Sequence, residues 1–141
     1  MPDHDSPPGA VEPLNVSILK QGAYLIVSIH TALDDNQMLR LQRDLIAQVG
    51  SQRSQGIIVD VAALDVLDSF ATRTLTQLAH MARLRGAETV VVGISPEVAV
   101  AMVRLNLQMN FVNTALDLEE GLQRLAELTD VSEGKAPHHA R

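Results

Sequence analysis

The chain has 141 residues, 46% of them hydrophobic and 20% charged, which is enough for one domain with a real core. A net charge of -6 and only 2% aromatic residues disfavour nucleic acid and anionic membranes as partners. The absence of cysteine excludes a disulfide framework and thiol chemistry. Because the N-terminus lacks a signal-peptide pattern and the apolar runs are too short to span a bilayer, we expect a cytoplasmic protein.

The first elements predicted in chain order are two strands. Residues 1–14 and 130–141 have no hydrophobic period, so we expect disordered tails on either side of one domain over residues 15–129. The runs NVSILK and AYLIVSIH are rich in β-branched residues and meet at Gln21 and Gly22. This pattern predicts a hairpin.

A helix is predicted next, over the segment DDNQMLRLQRDLIAQVG. Asp34 is the candidate N-cap, and Gln37, three residues later, would complete a capping box. Gly50 is expected to end the helix. The apolar residues that fall at helical spacing, and should face the core, are Met38, Leu41, Leu45 and Val49.

Strands and helices then alternate. GIIVDVAAL, from Gly56, is typical of a buried strand, and a helix is predicted from Ser69 to about Arg85, ended by Gly86. Its predicted inward residues are Leu75, Leu78, Ala79 and Ala82. ETVVVGI is predicted to be another buried strand.

The last predicted elements are a helix, a short strand and a helix. Ser95 as N-cap and Pro96 at the first helical position are a strong helix-start signal. A short strand is expected around Phe111 and Val112, followed by a helix over residues 118–128.

This order predicts an α/β fold. We expect a mixed, mostly parallel sheet of about five strands that begins with a hairpin, together with about four α-helices. In such sheets the loops that leave the carboxyl ends of the strands gather at one edge, where sites form. These loops are expected near residues 31–35, 62–68 and 93–96, and Ser69 lies at the same edge.

The sequence contains few signals of an enzyme active site. A nucleophilic Ser69 would need a nearby base, yet His80 is eleven residues further along the same helix, roughly 16 Å away. His30 ends a strand on the correct edge, but Ser69 has no Gly-x-Ser-x-Gly elbow. Phosphate-binding glycine loops are absent from the sequence. Asp60, Asp65 and Asp68 could suggest a receiver domain, but the sequence lacks the acidic pair after the first strand and the late lysine that such a domain needs. We therefore expect no enzyme, no cofactor and no metal.

Ser69 itself has two interpretations. It can be the N-cap of its helix, with Asp68 a charge favoured by the helix dipole and Asp65 a solvated loop charge. Alternatively, an exposed hydroxyl at a helix start is a good acceptor for a phosphoryl group, because free backbone N–H groups can receive the added anion. Spacing alone leaves both interpretations open.

A resemblance favours the second interpretation. The segments that carry it are ILKQGAYLIVSI, LDD, ALDVLDSF, GISPEVAVAMVRL and TALDLEEGLQRL, spread over residues 16–128. Together they resemble the STAS domains of the anti-sigma-factor antagonist family, and within it the stressosome scaffold proteins. Carried over by position, the resemblance implies that Ser69 is the phosphorylated serine and Asp68 the acidic residue before it.

The resemblance also implies a function and partners. The expected function is a non-enzymatic switch in a large self-associated particle, which sequesters an RsbT-like serine kinase of the GHKL ATPase type until Ser69 is phosphorylated. The other implied partners are a sensor-bearing, RsbR-like STAS paralogue and an RsbX-like phosphatase. The residues expected to contact partners are Leu33, Asp34, Asp35, Asp65, Asp68, Phe70, Thr72, Arg73, Ser95 and Pro96.

One alternative of another class remains open. The chain could be a stand-alone STAS subunit of a transport system, with the same helix face docked on a permease or an ABC-type ATPase. In that case Ser69 would be only a cap.

Overall fold

The structure, a computed structural model, describes residues 15–110 and 112–132. The elements in this part of the chain are, in order, β1 (Val16–Gln21), β2 (Tyr24–Ile29), α1 (Asp35–Gln52), β3 (Gly56–Asp60), α2 (Ser69–Leu84), β4 (Glu88–Val92), α3 (Pro96–Arg104), β5 (Asn113–Ala115) and α4 (Leu118–Ser132). The predicted α/β class, with five strands and four helices, is confirmed.

The strands form one mixed sheet in the order β1-β2-β3-β4-β5. β1 and β2 are the antiparallel hairpin, paired from Val16 opposite Ile29 to Gln21 opposite Tyr24. All later neighbours are parallel. The carboxyl ends of β2, β3 and β4 therefore point to the same edge of the sheet.

Helices cover both faces of the sheet. On one face, α1, α2 and α3 bury the larger core, in which Leu45 of α1, Leu75 of α2 and Val98 of α3 join Val59 of β3. On the other face, α4 packs Leu125 against alternate residues of the strands, namely Ile26, Ile58, Val90 and Val92. This alternation follows from the period of two along a strand, which sends successive side chains to opposite faces.

The predicted helix starts are confirmed for α1 and α3. The Asp34 carboxylate accepts the backbone N–H of Gln37 at 2.8 Å, and the Gln37 side chain accepts the Asp34 N–H at 2.9 Å. Ser95 caps α3 through a 3.2 Å bond from the N–H of Val98, and Pro96 occupies the first helical position. Both ends satisfy N–H groups that have no partner within the helix.

Three predicted boundaries are wrong. α1 continues through Gly50 to Gln52 and ends at Arg53, whose φ of 54° takes the left-handed conformation expected of a glycine. β5 lies at Asn113–Ala115 rather than around Val112, while Phe111 is outside the described residues. α4 continues to Ser132, so the first residues of the predicted C-terminal tail are helical.

The remainder of both predicted tails, residues 1–14 and 133–141, lies outside the described residues. Among the helices of the described ranges, none has the length and apolar character needed to cross a membrane.

Candidate functional site

The start of α2 shows which residue caps the helix. Asp68 has an extended backbone, with φ -77° and ψ 179°, and its carboxylate accepts the N–H of Ala71 at 2.8 Å. Asp68 is therefore the N-cap, and Ser69 is the first helical residue. The interpretation of Ser69 as the cap is wrong, because the capping geometry is set one residue earlier.

The N-terminal end of α2 retains unused hydrogen-bond donors. The carbonyl of Asp68 accepts the N–H of Thr72 at 2.9 Å, and its carboxylate accepts that of Ala71. The N–H groups of Ser69 and Phe70 belong to the first turn and have no carbonyl before them within the helix to bond. Ser69 is exposed, so its hydroxyl lies at the positive end of a helix dipole and in solvent.

The loops after β2 and β3 meet beneath this helix start. Leu33, Leu64 and Leu67 line a small cavity of about 40 Å³, together with Asp68 and Ala71 of the α2 start. Leu64 and Leu67 are buried, and they anchor the loop between β3 and α2. The result is a surface on which Asp65 and Val66 are exposed, Val66 to 59% of its full area.

The loop after β4 is held against the same segment by Gly93. Its φ is +85°, and a Cβ added there would lie 2.8 Å from the Ala62 Cβ and 3.0 Å from an Asp60 carboxylate oxygen. That oxygen accepts the N–H of Ala62 at 2.9 Å, while the N–H of Val61 bonds to the Val92 carbonyl at 3.0 Å. The three predicted loops therefore meet at one edge of the sheet, beside Ser69.

The predicted contact residues differ in accessibility. Asp34, Asp35, Asp65, Asp68, Arg73 and Pro96 are exposed, and Leu33, Phe70 and Ser95 are half-buried. Thr72 is different, because only 2% of it is exposed and its hydroxyl has no hydrogen-bond partner. Contact between Thr72 and a partner therefore stays a prediction, since the residue lies with Leu75 among the buried residues of α2.

A second wall beside Ser69 was missed in the sequence. Asn106, Leu107 and Gln108, which follow α3, form a cleft of about 230 Å³ with Ser69 and the adjoining face of α2. Asn106 has a φ of 57°, and its N–H bonds to the Val103 carbonyl at 3.0 Å. An asparagine just beyond a helix end is a known signal of this left-handed turn, so the wall could have been found.

The two histidines considered as bases for Ser69 have other positions. His30 Nε2 lies 2.7 Å from the hydroxyl of Ser17, the second residue of β1. His80 remains near the far end of α2, eleven residues after Ser69. Across residues 15–110 and 112–132, moreover, no three histidine or acidic side chains are grouped in a way that could hold a metal ion.

Comparison with known proteins identifies the family. The sequence profile of the STAS domain matches residues 15–121. The chain belongs to the STAS family. This STAS domain is 31% identical over 98 residues to the RsbT co-antagonist protein RsbRA of Bacillus subtilis, a match that covers 70% of this chain and 36% of RsbRA. The chain therefore spans about a third of the length of this curated relative.

Solved structures agree with the family and the fold. A serine-to-glutamate variant of RsbS from Moorella thermoacetica matches this STAS domain with a TM-score of 0.69 and 34% identity, over 80% of this chain and 96% of that one. A chain of the stressosome, described as a signal integration and transduction hub, matches with a TM-score of 0.63 and 30% identity. That match covers 79% of this chain and 97% of the other.

Proposed function

We propose that this STAS domain is a non-enzymatic scaffold of a stressosome. In the cytoplasm it co-assembles with sensor-bearing, RsbR-like paralogues and holds an RsbT-like serine kinase of the GHKL type at the edge around Ser69. Under stress the kinase phosphorylates Ser69 and is released, and an RsbX-like phosphatase restores the serine. The similarity to RsbS and RsbRA over most of the domain supports the scaffold role.

The observation that best supports the proposed switch is that Asp68, and not Ser69, caps α2. Asp68 caps the helix, so the Ser69 hydroxyl is not needed as a cap at the helix start. Ser69 is also exposed. A phosphoryl group can therefore be added without removing a cap. The unused N–H groups of the first turn lie beside the position that the new anion would take.

The proposed reaction is an ordinary phosphoryl transfer. The Ser69 oxygen attacks the γ-phosphorus of ATP, the bond from that phosphorus to the bridging oxygen breaks, the hydroxyl proton leaves, and ADP departs. The ATP and its magnesium ion are bound by the kinase. Reversal is hydrolysis, in which water replaces the serine oxygen and inorganic phosphate leaves.

The electrostatic consequence follows from the residues next to Ser69. A phosphoserine adds about 1.5 to 2 negative charges. Asp68 precedes it directly, and Asp65 is exposed on the preceding loop. A kinase surface that packs against a neutral hydroxyl and the apolar Val66 would then face several negative charges. We expect this repulsion to weaken binding and release the kinase.

Mass spectrometry tests the proposal. The chain is incubated with an RsbT-like kinase and ATP, and the phosphate is mapped. We expect phosphate on Ser69 and none on Ser95, a matched control that also starts a helix but whose hydroxyl accepts the N–H of Val98. Phosphate on Ser95 or Thr72 with Ser69 unmodified would show that the assignment is wrong. A chain that neither binds the kinase nor takes up phosphate would contradict the switch and favour docking in a transport system.

A further inference from the structure

The cleft beside Ser69 is chemically different from the opposite side of the same helix start. Asp68 and Val66 line the small cavity on one side. The cleft on the other side is lined by Ser69 and Arg73 of α2 and by Asn106 and Gln108 of the connection after α3. None of the described residues that line this cleft carries a carboxylate, so its one full charge is the guanidinium of Arg73.

Arg73 is placed to reach an anion on Ser69. The two residues are four apart on α2, the spacing at which side chains are neighbours on a helix surface. An anion that precedes a cation at this spacing is the more favourable order. Arg73 is exposed, and within residues 15–110 and 112–132 its guanidinium has no hydrogen-bond or ion-pair partner. It is therefore free to bind one.

The other lining residues add hydrogen-bond donors. Thr72 lines the cleft, and its buried hydroxyl lacks a partner, which is costly for a polar group away from water. Asn106 and Gln108 contribute exposed side-chain amides from the opposite wall. A cation with neutral donors and no carboxylate is a suitable environment for a phosphate monoester.

We propose that the phosphoryl group on Ser69 is captured within the chain by Arg73, in this cleft, and that the capture withdraws Arg73 from the kinase. This inference rests on the phosphorylation of Ser69 proposed above. Before phosphorylation, Arg73 is an exposed cation one turn from Ser69 and binds an acidic group of the kinase. Afterwards the guanidinium pairs with the phosphate, to which it can donate two parallel hydrogen bonds. Release then combines the added negative charge with the loss of a cationic contact.

The intramolecular half of the inference can be tested without the kinase. Phosphoserine is incorporated at position 69 during translation, and the second pKa of its phosphate is measured by phosphorus NMR in the otherwise unchanged chain and in Arg73→Gln. We expect Arg73→Gln to raise that pKa by about 0.3 or more, the change that corresponds to an exposed ion pair at this spacing. Asp65 and Asp68 are present in both proteins, so the difference isolates Arg73.

Two further variants make the comparison sharp. Arg83→Gln removes the same charge from the same helix about 21 Å from Ser69, well beyond the screening length of about 8 Å, and should leave the phosphate pKa unchanged. Arg73→Lys keeps the charge but not the paired geometry, and should give an intermediate pKa. Equal pKa values with and without Arg73, or an equal rise in Arg83→Gln, would overturn the capture.

The proposed contact between Arg73 and the kinase is tested separately, by measuring kinase affinity. With unmodified Ser69, Arg73→Gln should weaken kinase binding several-fold, whereas Arg83→Gln should not. Unchanged affinity in Arg73→Gln would overturn the withdrawal of Arg73 from the kinase, even if the phosphate pKa responds. If the kinase never phosphorylates Ser69, the proposed function fails, but the pKa comparison on the incorporated phosphoserine still decides whether Arg73 captures the group.

Discussion

The Asp68 carboxylate accepts the backbone N–H of Ala71 at 2.8 Å. The side chain that stabilises the start of α2 is therefore different from the side chain that is proposed to be modified. Addition of a phosphoryl group to Ser69 changes the charge of this surface and leaves the helix cap in place. Phosphorylation at this position could then change the surface of the domain without unfolding the start of α2.

Alanine substitutions at these two neighbouring positions should have unequal effects on stability. Asp68→Ala removes the cap and should lower the free energy of unfolding by about 1 kcal/mol. Ser69→Ala changes an exposed first-turn residue and should stay within about 0.5 kcal/mol of the original chain. Urea denaturation of both variants measures the difference. A loss in Ser69→Ala as large as that in Asp68→Ala would show that the serine caps the helix.

Two variants of Ser69 separate charge from shape in kinase release. Ser69→Ala adds no charge and should keep the kinase bound, and it also removes the proposed phosphoacceptor. Ser69→Asp adds one negative charge beside Asp68 and Asp65, so it should bind the kinase more weakly. Raised salt should narrow the gap, because exposed charges are screened beyond about 8 to 10 Å at physiological ionic strength.

Calorimetric titration of the kinase at low and high salt provides this comparison. The aspartate effect should be partial, since aspartate carries less charge than phosphate and lacks its three oxygens. Equal affinities for the two variants, combined with loss of binding on true phosphorylation, would mean that the bulk or hydrogen bonding of the phosphate acts instead of its charge.

Gly93→Ala should be more destabilising than Gly22→Ala. Both glycines have positive φ, +85° and +59°, so each alanine pays a backbone cost of about 1 to 2 kcal/mol. At Gly22 nothing lies within 4 Å of the added Cβ, whereas at Gly93 it meets Ala62 at 2.8 Å. Thermal unfolding should therefore show a larger loss in Gly93→Ala. Equal losses of thermal stability in the two variants would mean that the segment around Ala62 shifts at little cost to make room for the added Cβ.

Valine substitutions at two buried threonines, Thr72 and Thr129, should have different effects on stability. The Thr72 hydroxyl has no partner, so Thr72→Val should leave stability unchanged or raise it by about 1 kcal/mol. The Thr129 hydroxyl donates to the Leu125 carbonyl at 2.8 Å, so Thr129→Val should lower stability by about 1 kcal/mol. Both substitutions keep the β-branched shape. A clear loss in Thr72→Val, measured by denaturant unfolding, would indicate a bonded hydroxyl.

The fold was predictable because its signals are local and agree with one another. The capping box of Asp34 and Gln37 and the pair Ser95 and Pro96 each define a helix start within four residues. Likewise, the continuous apolar strands β3 and β4 indicate burial on both faces of a parallel sheet. The alternation of these elements leaves few topologies to consider.

The errors arise where neighbouring residues compete for one position. Asp68 and Ser69 are both good N-caps, and the choice depends on the backbone angle at a single residue. Gly50 suggested a helix end, yet Arg53 takes the left-handed turn, which depends on how the chain enters β3. The burial of Thr72 was accessible from the sequence, because it precedes Leu75 by three residues and Ala79 by seven on the inward face.

The order of the strands in the sheet has a consequence for how the chain is made. Each strand from β2 to β5 pairs with the strand that precedes it in the sequence. A ribosome that delivers the chain from its N-terminus therefore always supplies the partner of a new strand before the strand itself emerges. We expect the sheet to grow strand by strand during synthesis, with few long-range pairings left to search for afterwards.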